Sequence, residues 1–170
     1  THDDLEGNGM DSDAVSAIRY ATRHGARVIN MSWGGPEESR TLREALQAAH
    51  AAGVVLVAAA GNRNEDSSSW SPAGLSEVIT VAALDPDGAK ASFSNFGKVD
   101  VAAPGVDILS LHAAGTSLEN PVSAGYARMD GTSMAAPHVA GLAALILGRD
   151  RGLTRDRVRE LILNTADDVQ

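Results

Sequence analysis

Gly53-Val-Val-Leu-Val-Ala-Ala-Ala-Gly61 decides the reading of this chain. Seven apolar residues stand between two glycines, with no polar residue to mark a solvent-facing side. A short run of this kind is a strand buried on both faces, as in the middle of a parallel sheet. Just before it, Ser39 to Ala52 puts Leu42, Ala45, Leu46 and Ala49 on one helical face, and Gly53 stops that helix. Earlier still, Ala26-Arg-Val-Ile-Asn-Met-Ser32 is a strand-like run that breaks at Gly34-Gly35-Pro36. A first helix starts from a cap at Asp11 or Ser12, turns Val15 and Ile18 inward and ends near His24-Gly25. Strand and helix alternate, which predicts βαβ units and a parallel sheet, an α/β fold.

Beyond Gly61 the pattern loosens. Asn64 to Pro72 is a polar loop. Glu77–Ala83 and Val99–Ala103 are further strands, with a turn at Asp85-Pro-Asp-Gly88 between them. Asp107 to Asp130 is rich in Gly, Ser and Pro and predicts surface loop and hairpin. Gly131-Thr-Ser133 opens a strongly apolar helix through Leu147. A last amphipathic helix starts at a Thr154 cap and turns Val158, Leu161 and Ile162 inward. No linker divides the chain, so residues 1–170 are expected to form one domain.

Composition removes several function classes. Apolar residues make up 44% and charged residues 21% of the 170 residues, enough for a core in a globular protein. Fourteen Lys and Arg against 22 Asp and Glu give a net charge of −8, which lacks the basic footprint that nucleic acid requires. There is no Cys, so disulfide scaffolds, thiol nucleophiles and zinc ribbons are excluded. The longest apolar stretches, near Val54–Ala60 and Val139–Leu147, are too short to cross a bilayer. The chain opens at Thr1 without a signal-peptide pattern, which reads as a cut or processed end.

Two places carry chemistry. In Gly131-Thr-Ser-Met-Ala-Ala-Pro-His-Val-Ala-Gly141 a serine sits at the mouth of a long apolar helix. The first amides of a helix lack partners and its dipole favours negative charge there, so an oxyanion forming beside Ser133 would be stabilised. Helix logic alone also allows Ser133 to be a plain N-cap. Asn62 lies at the carboxyl end of the buried strand, where open parallel sheets bind ligands, and its amide is a neutral donor. An Asn after Gly is also a common turn residue.

The eleven residues from Gly131 resemble the nucleophile motif of the subtilisin-like serine proteases, G-T-S-M-A-x-P-H-V-A-G, without departure. Val28-Ile-Asn-Met-Ser-Trp-Gly-Gly35 resembles that family's substrate-binding strand, and Val57-Ala-Ala-Ala-Gly-Asn62 its oxyanion segment. Ala91-Ser-Phe-Ser-Asn-Phe-Gly97 and Val101-Ala-Ala-Pro-Gly105 are also family-like and in the right order. The similarity runs from about Gly7 to Ala166. It implies a three-layer fold, a mainly parallel sheet flanked by helices. It also implies a serine endopeptidase in which Ser133 is the nucleophile. Asn62 and the Ser133 backbone N–H would then form the oxyanion hole. Ser32-Trp33-Gly34 would run beside an extended peptide, with Gly7-Asn8-Gly9 as the opposing edge. Ala59, Ala60 and Gly61 would line the pocket for the side chain before the cut, a roomy apolar slot with Trp33 as one wall. Secretion also follows from the resemblance. No cofactor is required. Calcium is a common structural ion in the family, yet neither Asn64–Asp66 nor Asp85–Gly88 has the spacing of a site.

Part of the machinery is missing from this sequence. A serine hydroxyl needs a base, and the base needs an orienting carboxylate. The family's order is Asp, His, Ser, and no H-G-T-x-V-A-G stretch exists here. The chain is therefore expected to be the C-terminal portion of a catalytic domain, its sheet incomplete at the N-terminus. The Asp and His would come from an N-terminal segment, and the chain alone would be inactive. None of the five His replaces them. His138, five residues after Ser133, lies about 140° around the helix from it. His24 reads as a helix C-terminal residue, His50 as a solvated one, His2 as part of the terminus, and His112 as a loop residue within possible reach of substrate. Asp3, Asp4, Glu6, Asp11 and Asp13 form a solvated acidic edge, and Ser117 in Gly115-Thr-Ser117 is a decoy of loop composition. The alternative function is a peptide-binding module that does not cut. A nucleotide-binding fold is excluded, since Gly34-Gly35-Pro36 is not G-x-G-x-x-G.

Overall fold

The structure, a computed structural model, describes residues 9–36, 39–112, 121–123 and 125–168. Strand β1 (Val28–Met31) pairs in parallel with β2 (Val55–Ala59), β2 with β3 (Val78–Leu84), and β3 with β4 (Val101–Pro104). The order is β1-β2-β3-β4. All five residues of β2 are buried, as its unbroken apolar run requires.

The alternation of side chains divides the core into two. Leu56 and Ala58 of β2 face helices α1 (Asp11–Arg23) and α2 (Arg40–Ala51), packing with Ile18, Leu42 and Leu46. Val55, Val57 and Ala59 face the other way, with Ile79 and Val81 of β3. They pack on α3 (Thr132–Arg149) and α4 (Arg155–Asn164) through Ala136, Val139, Ala143, Val158 and Ile162. The result is three layers, helices on both faces of a parallel sheet.

The helix ends follow their capping chemistry with one correction. Ser39 and Thr154 accept hydrogen bonds from the Leu42 and Arg157 amides, as N-caps should. Helix α1 instead has Met10 as N-cap, with no side-chain bond. Asp11, expected as a cap, lies with Asp13 inside the first turn, where a carboxylate favours the helix dipole. Leu161 is only half-buried beside Val158 and Ile162. The turn at 85–88 is closed by Asp85 Oδ1, which accepts from the Asp87 and Ala89 amides. The polar loop contains a short 3-10 turn, Ser67–Ser69. Strands β5 (Ile108–Leu111), β6 (Pro121–Ser123) and β7 (Tyr126–Met129) form a second, antiparallel sheet, order β5-β7-β6.

Candidate active site

The site forms where β1, β2 and α3 meet. The N-cap of α3 is Gly131, not Ser133, and Ser133 is the second residue of the helix. At that position its N–H has no acceptor within the helix. Four residues on stands Pro137, inside α3. A proline has no N–H, so the helix cannot satisfy the carbonyl of Ser133. The missing donor comes from elsewhere: Ser32 Oγ, just past β1, donates to Ser133 O at 2.8 Å. The Ser133 hydroxyl answers by donating to Ser32 O at 3.1 Å. Asn30 Nδ2 in turn donates to Ser32 Oγ at 2.9 Å, which sets the direction of that hydroxyl. The half-buried Ser133 is thus held by a reciprocal pair of bonds across two elements.

This arrangement makes Ser32→Ala costly for a local reason. It strands the Ser133 carbonyl, which should cost about 1–3 kcal/mol. A Pro137→Ala background restores the helical N–H, and there the same substitution should cost little. Urea unfolding of the two single variants and the double variant measures the coupling. Equal costs in both backgrounds would show that Ser32 is not the substitute donor.

Asn62 lies three residues past β2. Its Oδ1 accepts two hydrogen bonds at 2.9 Å, from the Thr132 N–H and from Thr132 Oγ1. A backbone N–H can only donate, so the atom facing it must be the carbonyl oxygen of the amide. That fixes Nδ2 on the other side. Thr132 is fully buried, and its hydroxyl also accepts from Gly61 N at 3.1 Å. A Cβ on Gly131 would lie 3.4 Å from Asn62 Nδ2 and 3.6 Å from Ser133 N. Two nitrogen donors, with Met134 Sδ at 3.6 Å, therefore border one point that residue 131, lacking a side chain, leaves unfilled. Its φ of +150° also disfavours any other residue. Donors grouped in this way suit an oxygen that is gaining negative charge.

The segment that carries Asn62 is itself held from below. Asn95 is fully buried. Its Nδ2 donates to Ala60 O at 2.9 Å, and its Oδ1 accepts from Arg63 N at 2.9 Å and Glu65 N at 3.1 Å. One side chain thus closes the loop from 60 to 65 around Asn62.

A cavity of about 350 Å³ opens beside Ser133. Trp33, Gly34, Ala59 and Gly61 line it, together with Arg63 and Trp70. Ala60 does not. It lies just past β2 and is fully buried, with its N–H on Val81 O. Ser32 touches Ser133 rather than the cavity. Gly9 is exposed, and Gly7 and Asn8 lie outside the described residues. The expected apolar slot is corrected in one respect. Trp70 is buried in its wall, and the Arg63 guanidinium carbon sits 5.3 Å from the centre of the Trp70 ring.

Among the described residues, the imidazoles of His24, His50 and His138 are engaged away from this point. His24 and His50 belong to the α1–α2 layer, across the sheet from α3. His24 Nδ1 is bonded to Tyr20 O and its ring stacks on Tyr20. Burial, with the Arg155 guanidinium second, holds His50 below the usual imidazole range. His138 Nδ1 is bonded to Met134 O on the exposed side of α3. The His112 N–H bonds Gly125 O at the end of β5. His2, Asp3, Asp4, Glu6 and Ser117 lie outside the described residues.

The carboxylates of the acidic loops are engaged within their own turns. Asp66 accepts from the Ser68 N–H, which holds its carboxyl below the usual range, and Asp85 is committed to its own turn. Among the described residues no group of three His, Asp or Glu is placed to hold a metal ion. No helix among them is long and apolar enough to cross a membrane.

Residues 2–170 match the peptidase S8 family model, the subtilase family. A thermophilic serine proteinase of Bacillus sp. (strain AK1) is 46% identical over 167 residues, covering 98% of this chain and 39% of the relative. Subtilisin DY of Bacillus licheniformis is 42% identical over 167 residues, covering 96% of this chain and 58% of its own. A solved cold-adapted subtilisin-like serine proteinase superposes with a TM-score of 0.84 at 37% identity, over 95% of this chain and 57% of that one. A protease of Pseudoalteromonas arctica superposes at 0.87 with 36% identity, over 95% and 53%. The chain spans about half the length of the relatives it matches, from 39% to 58% in these cases.

Proposed function

The chain belongs to the subtilase family, and we propose that it carries the nucleophile and oxyanion hole of a serine endopeptidase whose base lies on a segment outside these 170 residues. Ser133 Oγ attacks the scissile carbonyl carbon and gives its proton to that base. The carbonyl oxygen takes up the negative charge at the point bordered by Asn62 Nδ2 and Ser133 N. Collapse breaks the C–N bond, and the amine leaves with the proton from the base. Water then attacks the acyl-serine, and the same base returns a proton to Ser133. The substrate is an extended peptide lying along Ser32, Trp33 and Gly34. By the family's habit the protease works outside the cell, and it needs no cofactor for this chemistry.

The observation that carries this reading is the locked Asn62 amide. A binding site gains nothing from a donor held at an empty point beside a serine hydroxyl, whereas acyl transfer needs one there. The need for a further segment is supported by α3. Leu142 and Leu145 are 44% and 74% exposed on a helix that is apolar nearly all round, and among the described residues β1 is an edge strand of the sheet. Apolar surface and a strand edge together are what a missing layer would cover.

Fluorophosphonate labelling followed by intact-mass detection tests the proposal, because such a probe reacts only with an activated serine. The 170-residue chain should give no adduct. A longer polypeptide that includes the segment should give one, and Ser133→Ala should abolish it. An adduct on the short chain, lost in Ser133→Ala, would overturn the external base. No adduct on the longer, folded polypeptide would overturn the protease reading itself.

A further inference from the structure

Arg63 is the one ionisable residue in the wall of the cavity beside Ser133. Its neighbours there, Trp33, Gly34, Ala59 and Trp70, carry no charge. Among the described residues no carboxylate forms an ion pair with it. Glu65 and Asp66 follow in sequence but do not line the cavity, and Asp66 is bound to the Ser68 amide. The main chain of Arg63 is fixed by Asn95, and its guanidinium lies against the Trp70 ring. A guanidinium on an indole face is held flat, with its N–H edge free to pair in a bidentate fashion. A cation so placed, in a chain of net charge −8, has no anionic partner in the wall of the cavity.

We propose that this cavity takes an acidic side chain, Glu or Asp, of an extended peptide, with Arg63 as its counter-ion. The proposal rests on the protease reading only for the placement of the peptide along Ser32 to Gly34. It replaces the apolar or aromatic preference that small wall residues alone imply. The bidentate geometry rejects an amide of the same shape. A neutral Gln offers one oxygen and no charge, so it forfeits most of the gain.

The test is equilibrium binding of short peptides to the chain as it stands, followed by the fluorescence of Trp33 and Trp70. Binding requires no base. N-acetyl-Ala-Ala-Ala-Glu-amide should bind roughly tenfold more tightly than its Gln counterpart at low salt. Arg63→Gln should bring the ratio to about one, and Arg63→Glu should favour the Lys peptide instead. Arg63 is exposed, so these variants should fold, and circular dichroism checks that they do. Equal binding of the Glu and Gln peptides would overturn the proposal. So would a Glu preference that survives Arg63→Gln, or no binding of either peptide by the folded chain. Fluorophosphonate labelling reads the other claim separately. A Glu preference without labelling of the longer polypeptide leaves the cavity chemistry standing and removes the protease; labelling without a Glu preference does the reverse.

Discussion

Asn95→Leu is expected to destabilise the protein by about 3–5 kcal/mol. Leu has a similar volume, so the loss comes from hydrogen bonding rather than from a void. Three bonds disappear, to Ala60 O, Arg63 N and Glu65 N. The Ala60 carbonyl belongs to a fully buried residue and is left without that donor, a cost of about 1–3 kcal/mol. Arg63 and Glu65 are exposed, and water can reach their amides, so each adds only about 1 kcal/mol. Urea unfolding should show a lower midpoint with an unchanged slope. A loss under about 1 kcal/mol would mean that the loop from 60 to 65 holds its shape without Asn95. In an active polypeptide the same change should slow labelling of Ser133, since Asn62 rides on that loop.

The second large effect belongs to Thr132→Val, which keeps the shape and removes a fully buried hydroxyl. Two bonds are lost, from Gly61 N and to Asn62 Oδ1. The expected destabilisation is about 2–3 kcal/mol. The functional consequence is more specific. Asn62 keeps only the Thr132 N–H as anchor, so its amide can turn and Nδ2 leaves the open point part of the time. Labelling of Ser133 should slow more than the loss of stability accounts for, and Thr132→Ser should restore both. Rescue of stability without rescue of labelling would show that Thr132 does not orient Asn62.

Much of this was legible in local sequence, because the deciding signals are local. The apolar run from Val54 to Ala60 has no polar position to place outward, so it had to be central. The Ser39 cap and the stripe Leu42, Ala45, Leu46, Ala49 define a helix by themselves. The serine at the head of α3 and the asparagine at the end of β2 stood out for the same reason. The misses are of another kind. Ala60 was placed in the cavity, yet it lies just past β2 and is fully buried. The roles of Ser32 Oγ, Thr132, Asn95 and Arg63 depend on what the chain brings beside them, which no window of sequence contains. Pro137 offered a partial clue. A proline within an apolar helix announces one unsatisfied carbonyl four residues earlier, and that carbonyl is on Ser133.

The bonds that join Ser133 and Asn62 to their partners reach far along the chain. Ser32 and Ser133 are 101 residues apart, and Asn62 and Thr132 are 70 apart. Contacts of that span cannot form until long loops have closed, and they form late. An unfinished chain holding β1 and β2 but not α3 has neither the pinned amide nor the serine. Thr132 and Ser133 at the head of α3 supply the pin and the serine, so a chain stopped before α3 holds neither. Separation along the chain acts here as a clock: Asn62 and Ser133 come together only once α3 has docked on the sheet.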